Sequence, residues 1–184
     1  NTIVNIYSPV TANANSGNST ISVGSTAGFA VGDLIMIIQM QGANVNTNNG
    51  GATPPWFDPN SSVPTDTSSG YITNYNNCGN HEFAQINSVL SGTSFSLDCG
   101  LKFNYTQTGR CQIVRVPRYT TLLISGAGYI GAAAWNGTVG GIAVVEVETN
   151  ATLSSTPSFS VTGRGFRGGA VENLSTLLGA NKFG

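Results

Sequence analysis

Charged residues are scarce in this sequence. They make up 8% of its 184 residues, and 7 basic residues stand against 8 acidic ones, which gives a net charge of −1. An average soluble domain carries roughly 25% charged residues. Without a basic surface the chain has little with which to hold a nucleic-acid backbone or an anionic membrane. We therefore expect no nucleic-acid partner.

Long apolar runs are also missing. The longest nearly unbroken one, Leu34 to Ile38, is far shorter than the roughly 20 residues that a helix needs to cross a bilayer. No positively charged and then apolar leader opens the chain. We therefore expect no transmembrane segment and interpret the sequence as a mature or trimmed product.

Histidine occurs once, and no catalytic arrangement accompanies it. His81 has no serine or cysteine nucleophile motif beside it,. No set of cysteines and histidines has zinc spacing, and the carboxylates are scattered along the chain. Calcium held by Asp58, Asp66 and loop carbonyls is the one metal site that the sequence leaves open. Otherwise we expect no enzyme activity and no cofactor.

Two glycine patterns resemble a dinucleotide-binding turn, at 126–131 and at 163–168. Such a turn must open a helix whose N-terminus binds the pyrophosphate. Asn136-Gly137 and Gly140-Gly141 interrupt the segment after the first pattern, so that helix is not expected,. Glycines at the corners of short strands explain both patterns better.

Asparagine, threonine, serine and glycine fill the polar positions instead. These short side chains compete with the backbone for hydrogen bonds in helices and suit turns and exposed strand faces. The sequence predicts an all-β protein whose residues 1–119 form a β-sandwich or a barrel-like head. The segment 34–40 is predicted as a strand buried on both faces. The other strands of the head are predicted at 3–7, 19–23, 82–90, 94–97 and 112–116,.

A long polar excursion interrupts the head at 42–80 and is predicted to be a surface loop. Its aromatic residues, together with neighbouring asparagines and threonines, have the chemistry of a carbohydrate-binding surface. In the alternative interpretation these rings only pin the loop onto the head. The candidate glycan contacts are Trp56, Phe57, Tyr71 and Tyr75.

After Tyr119 the sequence changes to short strands separated by glycines. Strand-like segments lie at 122–125, 142–147 and 158–162. Short strands at such nearly regular intervals are typical of the rungs of a β-solenoid, which we predict for residues 120–184 with a spacing of about 16 to 21 residues,. A last rung with an open edge would be covered by more of a longer parent chain or by neighbouring subunits.

Two kinds of covalent or ionic link are predicted. Cys99 and Cys111 flank a hairpin-like segment and are predicted to form a disulfide with Cys78 left free; three buried thiols are the alternative,. The arginines of two short clusters are expected to form structural ion pairs across the junction between head and solenoid. The residues concerned are Arg115, Arg118, Arg164 and Arg167, with Glu146 and Glu148 as partners.

Six segments carry a resemblance to a known family: Gly28 to Gly42, His81 to Phe83, Gln112 to Tyr119, Ala134 to Gly137, Gly140 to Ile142 and Gly163 to Gly169. In this order they resemble the N-terminal region of large surface proteins secreted by Bacteroidota, of the adhesin or gliding-associated kind. The resemblance implies export by the type IX route, an extracellular place on the bacterial cell surface and a longer parent chain. It carries over no catalytic residue.

Two functions of different classes follow from these features. The first is a secreted, non-catalytic structural or adhesive module that binds glycans or surfaces, or that assembles into fibres through an open solenoid end. The second is the N-terminal part of a carbohydrate-active β-helix enzyme of the lyase kind, with its catalytic residues beyond Gly184.

Overall fold

The computed structural model describes residues 1–45 and 72–166, and in these ranges the protein is all-β. One short 3-10 helix, Gln107–Gly109, is the only helical element there. The strands are β1 Thr2–Ile3, β2 Tyr7–Pro9, β3 Thr20–Ser22, β4 Leu34–Gln39, β5 Asn44–Val45, β6 Ile72–Asn74, β7 His81–Ser91, β8 Ser94–Leu97, β9 Cys111–Val116, β10 Arg118–Ile124, β11 Ile130–Gly131, β12 Glu146–Leu153 and β13 Phe159–Ser160.

The head is a six-stranded antiparallel sheet that curls until its edges meet. Its strand order is β2-β9-β4-β7-β8-β3. Just beyond the two outer strands, Val10 and Val23 form an antiparallel bridge. The bridge is flanked by hydrogen bonds from Thr11 N to Ser22 O at 3.0 Å and from Gly24 N to Pro9 O at 2.9 Å. The head is therefore barrel-like, and closure leaves the sheet without a long free edge.

Alternation along the strands builds the core of this barrel. Inward-facing side chains such as Ile35, Ile37, Phe95 and Ile113 are fully buried, and burying each one contributes about 1.5–3 kcal/mol. β4 is fully buried only on its inner face and half-buried on the other. The prediction that both of its faces are buried was wrong. That property belongs to β9, whose outer face is covered too.

Beyond the barrel the chain forms two parallel ladders with one common spacing. β10 pairs with β12, and Leu122 lies beside Ala151. β11 pairs with β13, and Ile130 lies beside Phe159, with the same offset in residue number between the two partners. Parallel strands at a constant spacing are the rungs of a β-solenoid. The solenoid prediction is confirmed, but the predicted spacing was wrong, because the rungs lie further apart in the sequence.

The spacing was misjudged for two reasons: β12 and β13 belong to different ladders, and one apolar segment is not a strand. Residues 142–145, the first part of the rung predicted at 142–147, are rich in β-branched side chains. Their carbonyls and amides are instead bonded by side chains from the barrel, described below, and the strand begins at Glu146. Local β propensity is overruled here by these long-range contacts.

The N-terminus belongs to the solenoid as well as to the head. β1 pairs in parallel with β11, with Thr2 beside Ile130 and Ile3 beside Gly131. The ladder therefore runs β1-β11-β13, and its first strand comes from the segment that leads into the barrel. The predicted boundary at residue 119 also falls inside β10, which begins at Arg118.

The predicted disulfide between Cys99 and Cys111 does not form, because all three cysteines are free thiols. Cys111 faces the barrel core and is buried, whereas Cys99 is exposed on the loop after β8. The alternative of three buried thiols is not met either, since Cys78 is only half-buried.

We expect the three thiols to react at very different rates. Burial raises the pKa of Cys111 to about 12, so at neutral pH it holds almost no reactive thiolate. In a non-reducing labelling experiment read by mass spectrometry, the exposed Cys99 should be modified well before the buried Cys111. Cys111 should stay unmodified until denaturant is added. A cross-linked peptide containing Cys99 and Cys111 would contradict the structure.

Candidate functional site

Most of the predicted contact and metal residues lie outside the described residues. These are Trp56, Phe57, Tyr71, Asp58, Asp66 and Arg167. Tyr75 is described, and its side chain is 65% exposed. The candidate site is therefore built around Tyr75.

Tyr75 lies on a short turn between β6 and β7, which we call the Tyr75 platform and define as residues 73–80. The platform begins at a small antiparallel pair of β5 with β6. Asn76 and Asn77 then take left-handed backbone conformations, with φ of 46° and 67°. Asparagine tolerates this conformation better than most residues. The sequence therefore fits a tight turn that leaves the ring of Tyr75 outside.

A buried amide in the barrel holds the platform. Gln39 is 1% exposed. Its Nε2 donates to the carbonyls of Gln41 and Asn76, both at 2.8 Å, and its Oε1 accepts from the Thr106 amide at 2.7 Å. A β-carbon at Gly109 would collide with this side chain. One glutamine thus joins three loops at the end of the barrel.

Backbone bonds tie the platform to the same strand. Gln39 N donates to Asn80 O and Gly79 N donates to Gln39 O, each at 3.0 Å. The Asn76 side chain donates to Gly42 O at 2.9 Å, and the Cys78 thiol lies 3.5 Å from Met40 O. Each connection fixes a different part of the turn, so the platform is held by the barrel rather than by its own short hairpin.

The platform lines a shallow open depression of about 720 Å³. None of the lining side chains carries a formal charge. The surface therefore offers one aromatic ring, several amides and a hydroxyl. Its lining residues are Thr73, Asn74, Tyr75, Asn76, Asn77, Cys78 and Asn80.

The acidic residue next to the platform serves the fold. Glu82 is 7% exposed, and its carboxylate accepts bonds from the amides of Lys102 and Phe103, at 2.9 and 3.2 Å, and from the Tyr105 hydroxyl at 3.0 Å. Burial, with the Glu82 carboxylate as a further cause, raises the pKa of Tyr105, so this hydroxyl remains a donor. His81 is exposed, and its Nδ1 lies 3.1 Å from Gly79 O.

A second polar cluster joins the barrel to the solenoid. Gln112, which is fully buried, donates to Gly140 O at 3.0 Å and accepts from Gly140 N at 2.9 Å. Asn5 bonds both backbone groups of Val144, at 2.6 and 3.1 Å. The Tyr7 hydroxyl donates to Ile142 O at 2.5 Å. These side chains replace a neighbouring strand for residues 140–144, a role that their sequence context did not reveal.

One of the predicted ion pairs forms. Arg118 Nε lies 2.5 Å from Glu146 Oε2, and both side chains are about half exposed, so the pair is worth at most about 1 kcal/mol. Arg115 pairs with Asp33 at 3.2 Å instead of with a glutamate of the solenoid. Its Nε is buried and makes no hydrogen bond within the described residues.

The remaining members of that predicted network stay apart. Within the described part of the chain, neither Glu148 nor Arg164 forms an ion pair. Glu148 is exposed on β12. The backbone carbonyl of Arg164 accepts from Trp135 N at 3.0 Å, so this residue contributes to the solenoid through its main chain.

Among residues 1–45 and 72–166, no three histidine, cysteine, aspartate or glutamate side chains cluster as a metal site. In the same ranges no helix has the length and apolar character needed to cross a membrane. The glycine pattern at 126–131 forms a turn at Gly126, with φ of 65°, and leads into β11 rather than into a helix. For this pattern the dinucleotide interpretation is thereby excluded; the pattern at 163–168 ends outside the described residues.

No family model matches the chain, and no curated protein matches it. Solved structures with some likeness include phage tailspikes. The gp54 tailspike of Acinetobacter baumannii bacteriophage AP22, in complex with A. baumannii capsular saccharide, is 15% identical with a TM-score of 0.36, covering 65% of this chain and 17% of that one. Tailspike gp49 of Pseudomonas phage LKA1 is 17% identical with a TM-score of 0.37, covering 65% and 16%.

A third tailspike, gp61 of Pseudomonas phage phi297, is 15% identical with a TM-score of 0.35, covering 61% of this chain and 14% of that one. The chain thus spans less than a fifth of each tailspike. This likeness is too low to assign a family or a ligand, and the function has to be argued from the residues above.

Proposed function

We propose that this chain is an extracellular, non-catalytic structural and adhesive module of a bacterial cell-surface protein. In this proposal the barrel starts a β-solenoid and presents a polar surface to glycans. The observation that carries it is the continuous bonding between barrel and solenoid through β1, Asn5, Tyr7 and Gln112. Solenoids need such a cap, because an uncovered first rung exposes unpaired backbone and apolar side chains.

The composition supports an exposed place for the module. Charged residues are 8% of the chain, and amides and hydroxyls supply its polar surface. The sequence resemblance to secreted surface proteins of Bacteroidota points the same way and adds the type IX route to the proposal. Remaining parts of a longer parent chain are then the expected neighbours of the solenoid.

Surface placement is tested on intact cells of the source organism. Antibodies against this chain should label unpermeabilised cells, and added protease should remove the label. An antibody against a cytoplasmic protein is the control and should label only permeabilised cells. Labelling that requires permeabilisation would refute the extracellular role.

The lyase alternative is tested by turnover. Because that alternative places the catalytic residues beyond Gly184, the longer parent protein is the sample to test, and we expect it to produce no new reducing ends from neutral or acidic polysaccharides. Release of oligosaccharides that persists in independently purified samples would favour the enzyme.

Fibre assembly would use the outer edges of β12 and β13, which pair with no further strand of the described chain. A second copy is a poor fit for these two edges together. The ladder that begins with β1 has three strands, whereas the ladder that begins with β10 has two. If the β1 of a second copy paired with β13, the strand position beside β12 would therefore stay empty. We therefore expect dispersed particles in electron micrographs; ordered filaments would establish the fibre form.

A further inference from the structure

Tyr75 presents an aromatic ring on a rigid support. The ring is 65% exposed and belongs to neither of the close aromatic pairs of the described residues, Phe29 with Phe95 and Trp135 with Phe166. The neighbouring backbone is fixed through Gln39 and Asn76. A ring held in this way loses little conformational entropy when a ligand covers it.

Amide side chains line the same depression as the Tyr75 ring. The Asn77 side chain makes no hydrogen bond within the described residues, and Asn74 uses only its oxygen, which accepts from Asn76 N at 2.8 Å. Asn80 uses only its amide nitrogen, which donates to Asn104 O at 3.3 Å. Hydrogen-bond donors and acceptors therefore remain for a polar ligand. A hydroxyl group both donates and accepts hydrogen bonds, so a ligand with several hydroxyls can use both kinds of group.

The absence of charge on the platform selects the class of ligand. Among the described residues, no lysine, arginine or histidine lines the depression, so a carboxylate or sulfate on the ligand would lose its hydration without gaining a cation there,. No acidic side chain of residues 1–45 and 72–166 lines it either, which disfavours cationic ligands. A neutral molecule with an apolar face and many hydroxyls fits best.

We infer that the depression at the Tyr75 platform binds neutral saccharides, with the Tyr75 ring stacked on the face of one sugar and the amides of Asn74, Asn77 and Asn80 bonded to its hydroxyls. The inference rests on the proposed adhesive function and deepens it by naming the ligand class and the site. Stacking supplies affinity, and the amides supply orientation.

The test compares neutral with acidic oligosaccharides on the full chain. Cellohexaose, chitohexaose and mannohexaose are titrated by NMR or calorimetry, with oligogalacturonate and hyaluronan fragments as acidic probes. At least one neutral probe should bind, and the acidic probes should bind at least about tenfold more weakly. Failure of every neutral probe, or equal binding of the acidic ones, would overturn the inference.

Substitutions locate the site. Tyr75→Ala should weaken binding of the neutral probe about tenfold or more, whereas Tyr75→Phe should keep it within about threefold, because the stacking ring remains. Phe159→Ala removes another exposed aromatic, on the solenoid, and should change nothing. Equal binding by Tyr75→Ala would refute the site. Since surface labelling does not depend on Tyr75, that result would leave the proposed function standing.

Discussion

Replacing Gln112 by leucine should lower the free energy of unfolding by about 2–4 kcal/mol, because it leaves the buried N–H and C=O of Gly140 without partners and each costs about 1–3 kcal/mol,. Leucine has a similar volume, so little of the loss comes from a cavity. Chemical denaturation followed by tyrosine and tryptophan fluorescence measures the effect. The barrel core is untouched, and we expect the variant to fold.

The location of the damage distinguishes this mechanism from general destabilisation. Hydrogen exchange should accelerate in residues 139–145 and in β12, while the amides of β4 and β7 stay protected. Gln107→Leu is the matched control, since Gln107 is exposed on the 3-10 helix and its replacement should change stability by less than about 0.5 kcal/mol. A uniform loss of hydrogen-exchange protection throughout the barrel would contradict the view that Gln112 acts locally, by holding the segment around Gly140.

The strands of the barrel could be predicted because their signal is local. β3 and β8 alternate polar and apolar residues and are bounded by turns, and both lie close to their predicted positions. Closure of the barrel could not be predicted. It depends on the bridge of Val10 with Val23, a contact between two strand ends that no periodicity encodes.

The sequence predicted a solenoid, but it did not predict the number of residues between paired strands. Short strands between glycines indicate rungs, yet the segments between the rungs differ in length and composition. The decisive information is pairwise, such as Arg118 beside Glu146, and it crosses the misleading apolar segment at 142–145. β1 was assigned to the head for the same reason, since its partner β11 lies far along the chain.

The candidate site was predicted only through Tyr75. The sequence points to exposed aromatics and asparagines in the excursion, and one such aromatic lies in the described part of the chain. The residue that holds the platform, Gln39, was counted as part of an apolar strand. A lone amide inside such a strand was the available signal, because a buried amide needs several partners and therefore indicates a junction of loops. Gln112 carries the same signal in β9.

Replacing Gln39 by leucine should lower the free energy of unfolding by about 3–4 kcal/mol. The reason is that the Thr106 amide and the carbonyls of Gln41 and Asn76 lose their hydrogen-bond partners together,. The platform should loosen with it, so affinity for a neutral saccharide should fall even at temperatures where the barrel stays folded. Thermal denaturation and titration of the same sample measure both effects.

Gln39→Glu separates the role of the donor from that of the acceptor. A glutamate keeps the bond from Thr106 but turns a charged oxygen towards two carbonyls, which raises its folded-state pKa above the unfolded value. Its contribution to stability is then present at low pH and lost as the pH rises. This variant should be more stable in mildly acidic than in neutral solution, whereas Gln39→Leu should show no such gain. Equal pH profiles of the two variants would mean that the Gln39 amide nitrogen does not hold the platform.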